Sequence, residues 1–269
     1  MLHVHQVPLP FASGHNRTLN PRGAKSCRIA GVNTSGLEKR QATLQLWICA
    51  CSGRQYVKPT LIFRGSTGPR SKLPWPAERA IYASLNNIRV AYQKNAWADQ
   101  DFCEDEILEV AADIRAAGVE GEVLIGMDNH SAQRTPYMLA LYANLGLVPV
   151  FTSANCTDCI SPVDHHVGRY IQTHMGRSYR TAVETNPEIW IASSANEGLE
   201  NVQSTSAMSR RMLMAQWLSE AWTDLTANHP NIIESAFVKT GFLVAKDGSE
   251  DHLIDIQGWS APEKYAYRS

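Results

Sequence analysis

Apolar and polar positions follow two rhythms along this chain. In HVHQVPLPF (3–11) and TLQLWICA (43–50) they alternate, and KPTLIFRG (58–65) repeats the pattern after an SGRQ turn signal, so three early strands are expected. Residues 12–40 mix Gly, Asn, Pro and Ser with charges of both signs and read as a long loop. Residues 64–80 (RGSTGPRSKLPWPAERA) read as a second Pro/Gly-rich connector. From about Asp101 the rhythm turns helical: Ile107, Val110, Ala111 and Ile114 share one face, and Gly118 offers a stop. EVLIGM (122–127) reads as a buried strand ending at Asp128. Thr135-Pro136 then opens a helix carrying Met138, Leu141, Tyr142 and Leu145. LVPVF (147–151) is the last expected strand, and Ser161-Pro162 starts a helix with Val163, Val167, Tyr170 and Ile171 in one stripe. A further helix is marked by Met214, Leu218, Ala221, Trp222 and Leu225, after which the tail from about His229 reads as short-stranded and irregular.

This order predicts an α/β fold built on a mixed sheet, with three antiparallel strands followed by two parallel ones reached through helical crossovers. The 269 residues, 44% of them apolar, suffice for a large core. A formal net charge of -1 offers no whole-chain basic field, so any nucleic acid must be held by local patches. No run is long enough to span a bilayer and the amino-terminal stretch does not read as a secretion signal, which favours an intracellular setting and reduced thiols.

Asp128, at a strand end, and Asp164, in the first turn of a helix, are separated by 35 residues. Two hard carboxylates with open positions suit Mg²⁺ or Mn²⁺, which activate water and neutralise charge on a phosphodiester. The same residues have structural readings: Ser161-Pro-Val-Asp164 matches a capping box, and Asp128-Asn129 a turn. His130, His165 and His166 flank the aspartates and read equally as surface or core histidines. Cys156 and Cys159, with Cys49 and Cys51, offer a zinc-like spacing, against which two small buried thiols on one strand face are the commoner arrangement. Trp190, Trp217, Trp222 and Trp259 read as stacking platforms or as core, and the Lys39-Arg40 and Arg210-Arg211 pairs are too short for a nucleic-acid footprint.

Taken in order, HVHQVPLPF, LQLWICA with PTLIFRG, AYQKNAWADQDF, GMDNHSAQ, NCTDCISPVDHHVGRYI, WLSEAW and AFVKTGF with DGSED resemble the DDE superfamily endonuclease domain of pogo-type and jerky-like transposases, nearly end to end. The resemblance implies a ribonuclease H-like fold, DNA as partner, a nuclear location, and three carboxylates binding two divalent ions for strand cleavage and transfer. Asp128 would be the second acid and Asp164 the third. The family's first acid lies in a segment similar to D-Q-x-P-L-P-F, and the matching position here is His5. One imidazole nitrogen binds a single ion and prefers softer metals, so an impaired catalytic domain is expected.

Two other readings remain open. One is a live Mg²⁺- or Mn²⁺-dependent nuclease using His5, Asp128 and Asp164. The other is a non-catalytic interaction domain stabilised by zinc on Cys156 and Cys159. The expected division is a catalytic-type domain over 1–228 and an extension over 229–269, without the helix-turn-helix region that usually precedes the family's domain.

Overall fold

The computed structural model of the protein describes residues 1–10, 41–50, 54–65, 73–94, 99–152, 160–185 and 200–256. Strands β1 (Leu2–Pro10), β2 (Gln41–Cys49), β3 (Thr60–Arg64), β4 (Arg89–Gln93), β5 (Val123–Met127) and β6 (Leu147–Phe151) form one sheet in the order β4-β3-β2-β1-β5-β6. β1, β2 and β3 meander antiparallel, while β5 runs parallel to β1 and β6 parallel to β5. This is the mixed sheet expected from the pattern, three antiparallel strands followed by two parallel ones, enlarged by β4, which pairs parallel with β3.

The pleat of the sheet sorts the core into two layers. Odd-numbered Val7 and Leu9 of β1, with Leu44, Leu46 and Ile48 of β2 and Leu61 and Phe63 of β3, face one side. Helices α4 (Gly168–Thr185), α5 (Glu200–Asn228) and α6 (Pro230–Lys239) cover it. Leu2, Val4, Trp47 and Ile62 face the other side, against α2 (Gln100–Ala116) and α3 (Pro136–Asn144). Thr135 caps the Met138 N–H at 3.2 Å before Pro136, as its sequence signal predicts, and Asp99, just before the Gln100 start of α2, caps the Phe102 N–H at 3.0 Å. Among the described residues no helix is long and apolar enough to cross a membrane.

Three expectations need correction. The connector over 64–80 contains the start of a helix, α1 (Pro76–Ser84): Pro76 is its first residue, and Glu78 reaches back to the Trp75 N–H at 2.8 Å. The edge strand β4 is half-buried throughout and only five residues long, too short to show a rhythm. The tail after His229 is not short-stranded but opens with α6, where Pro230 again takes the first turn and Ile233, Ala236 and Phe237 enter the first core layer.

Buried charges tie these additions to the sheet. Glu78 is fully buried, accepts from Arg211 Nε of α5 at 2.6 Å, and has the hydroxyls of Tyr82 and Tyr92 at 3.3 and 3.2 Å. One carboxylate thus joins α1, β4 and α5. On the opposite layer Glu106 of α2 accepts from Trp47 Nε1 at 2.9 Å and Thr60 Oγ1 at 2.8 Å. Burial pushes the Glu106 carboxyl pKa up, and these two hydrogen bonds oppose the shift. Replacing Glu78 with Ala would leave the Arg211 guanidinium, 12% exposed, without its counter-charge. The expected loss is about 3–5 kcal/mol of unfolding free energy, read as a lower urea midpoint, with Glu78→Gln losing less.

Candidate functional site

Residue 5 lies on β1 between two hydrogen-bonded neighbours, and its parity places its side chain on the face covered by α4. A π-helical turn, Val163–Val167, leads into α4 and packs on this face. Such turns contain an extra residue relative to an α-helix and re-aim the side chains they carry. Gly168 allows the close approach: a Cβ there would meet the Val163 carbonyl oxygen at 3.0 Å and Val7 Cγ2 at 3.1 Å. Further along, Gln172 Nε2 donates to the Pro8 carbonyl at 3.0 Å. Helix and strand therefore run side by side.

This packing sets His5 Nε2 3.1 Å from Asp164 Oδ2, with the two side chains 17% and 31% exposed. The contact holds an imidazole nitrogen and a carboxylate oxygen within ion-pair distance. The other ring nitrogen, Nδ1, is buried without a hydrogen-bond partner among the described residues. Ser161 Oγ accepts from the Asp164 N–H at 3.3 Å, which is one half of the expected capping box. Capping of the backbone and pairing of the side chain coexist at Asp164.

Asp128 follows β5 directly and is half-buried. β1 and β5 pair at Leu2–Ile125 and His3–Gly126, and β5 ends at Met127, one residue before Asp128. Among the described residues Asp128 enters no ion pair. Its charge adds to those of Asp99 and Glu106 in raising the Cys103 thiol, which burial chiefly pushes up to about 12.

The sheet's alternation also brings His3 to this face, but its ring does not join His5 and Asp164. It is fully buried between Phe237 and Phe242, with ring centroids 6.4 and 5.4 Å away, and neither ring nitrogen has a hydrogen-bond partner among the described residues. Burial, reinforced by the neighbouring His5, lowers its pKa to about 3. Of the two histidines on this face of β1, His5 therefore meets Asp164 and His3 is a core residue. The signals for that difference lay far away in sequence, at Gly126 beneath the ring and Phe237 and Phe242 around it.

The donor set does not fit a two-ion centre. Among the described residues no three His, Cys, Asp or Glu side chains gather closely enough to hold a metal ion. Position 5 carries an imidazole with no second oxygen to bridge two ions, and its Nε2 lies 3.1 Å from Asp164 Oδ2. The thiol alternative is only partly visible: Cys49 is a buried core residue, while Cys51, Cys156 and Cys159 lie outside the described residues. His130 is exposed and His166 half-buried, and the side chain of His165 lies outside the described residues. Trp217 and Trp222 are buried in the first layer, as core rather than stacking platforms. Arg211 serves Glu78, and Trp190, Trp259, Lys39 and Arg40 lie outside the described residues.

No family model matches this chain, and no curated protein matches it. Among solved structures it is similar to a Mos1 transposase paired-end complex with left transposon end, at 10% identity and a TM-score of 0.41, covering 89% of this chain and 55% of that one. It is likewise similar to a pre-cleavage Mos1 transpososome, at 12% identity and a TM-score of 0.41, covering 85% of this chain and 55% of that one. The chain thus spans about half the length of the chains it matches.

The buried His3 makes the fold sensitive to acid. The unfolded chain takes up a proton near the ordinary value of 6.5, whereas the folded chain resists until about 3, so stability falls as pH drops through this window. Between pH 7.5 and 4.5 the His3 contribution to that fall is about 2–3 kcal/mol. Urea unfolding across this range is expected to show a shallower pH dependence for His3→Phe than for the natural chain.

Proposed function

We propose that this chain is a DNA-associated ribonuclease H-like domain of transposase descent, of the pogo-type or jerky-like kind its motifs resemble, in which metal-dependent phosphodiester cleavage is impaired. The observation that carries this reading is the 3.1 Å pairing of His5 Nε2 with Asp164 Oδ2. At the position where the resemblance asks for an acid stands an imidazole, within ion-pair distance of the very carboxylate that would hold an ion.

Two-ion cleavage needs cations about 3.5–4 Å apart, clamping the attacking and leaving oxygens of the phosphodiester. A single imidazole lacks the second oxygen and the negative charge for that bridge. Losing several kcal/mol of transition-state stabilisation slows the step by about 10³-fold or more. The binding of DNA makes no such demand, because phosphate contacts need only basic and polar groups on the surface. DNA association outlasting cleavage is the consequence, and the resemblance implies a nuclear site of action.

The test is calorimetric titration with Mg²⁺ and Mn²⁺, together with nicking of supercoiled plasmid, on the natural chain and on His5→Asp. The expected result is weak Mg²⁺ binding and no nicking by the natural chain, with both gained by His5→Asp and nicking lost again when Asp128→Asn is added. Robust Mg²⁺-dependent nicking by the natural chain, abolished by His5→Ala, would sink the proposal and make His5 a working ligand.

A further inference from the structure

We infer that the outward face of α4 is a phosphate-binding track for duplex nucleic acid, with Arg169, Arg177 and Arg180 as its cationic contacts. This rests on the DNA-associated reading above and identifies the surface that makes the contact.

The helix begins where the candidate site ends, since the π-turn carrying Asp164 runs into Gly168 without a break. Arg169, Thr173 and Arg180 recur at helical spacing on one exposed stripe, and Arg177 flanks it. The inward side of the helix is fully employed: Ile171 and Met175 enter the core, the Tyr170 hydroxyl donates to Asp224 of α5, and His174 Nε2 lies 3.8 Å from the same carboxylate. None of the three arginines has a carboxylate within ion-pair distance among the described residues. Glu184, in the last turn, is the one acid on a helix with three arginines, in a chain whose formal net charge is -1.

Position gives the stripe its direction. Asp164 meets His5, Gly168 meets Val7 and Gln172 meets Pro8, so α4 advances along β1 toward the carboxyl edge of the sheet, the edge at which β5 delivers Asp128. At a rise of about 1.5 Å per residue, Arg169 and Arg180 stand about 16 Å apart along the helix. Each strand of a duplex presents a phosphate about every 3.4 Å along its axis, so a stripe of this length meets several phosphates. Planar guanidinium forks match phosphate oxygens in pairs, and three of them held outward, with no ion-pair partner among the described residues, complement a polyanion.

Binding of fluorescent duplex DNA by the full chain, measured as anisotropy across a salt series, tests this. Each of Arg169→Ala, Arg177→Ala and Arg180→Ala is expected to flatten the slope of log K against log salt by about 0.9, and the triple variant by about three times that. Arg115→Ala, which removes an exposed arginine from α2 on the other side of the sheet, is expected to leave the slope unchanged. All four arginines are exposed, and far-ultraviolet circular dichroism checks that the variants fold. If the natural chain binds duplex and the triple variant keeps its affinity and slope, the track is wrong while DNA association stands. If the natural chain ignores duplex but binds polyglutamate through these arginines, the surface serves an acidic protein, and both DNA association and the track fall. If the natural chain binds neither, both fall as well.

Discussion

β1 is hydrogen-bonded on both sides, to β2 over its whole length and to β5 at its start, and this double pairing fixes which way each of its side chains points. A slip of one residue would exchange Leu2 and Val4 for His3 and His5, moving polar rings into the layer of α2 and aliphatic groups away from it. The two core layers prevent that slip. Val7 and Leu9 are buried among the helices α4 to α6, and the same parity delivers His5 to the π-turn. The placement of the candidate site is thus a by-product of hydrophobic burial along a central strand.

Much of this was legible in the sequence because the relevant signals are local. Alternation in LQLWIC and TLIF, the Thr135-Pro136 helix start and the buried run before Asp128 each depend on a few adjacent residues. What escaped notice depends on partners far along the chain. Pro74 and Pro76 marked a loop until Glu78 was seen to close the first turn of α1 and to meet Arg211, 133 residues away. RVAYQ becomes a strand only because β3 leaves an edge open to it. The tail helix α6 was read as irregular because its burial depends on the first layer, not on a long periodic run.

The candidate site divides in the same way. Strand-end and helix-start positions pointed to Asp128 and Asp164, and the resemblance pointed to residue 5. The direct pairing of His5 with Asp164 was not readable, since it depends on the π-turn and on Gly168 letting that turn sit against Val7. The difference between His3 and His5 was equally hidden. Both lie on the same face, but Phe237 and Phe242 enclose one ring while the other reaches the margin of the core.

Electrostatics explains why histidine is compatible with this scaffold. Three carboxylates converging at one end of a sheet repel one another, and in the absence of cations one of them must protonate or the local packing must open. The imidazole at position 5 carries no negative charge and lies 3.1 Å from Asp164, so the π-turn and β1 meet without like-charge repulsion at this point. The cost is the Nδ1 of the same ring, buried with no hydrogen-bond partner among the described residues. A histidine here lets the π-turn pack on β1 without the repulsion that a second carboxylate at the same position would meet at Asp164.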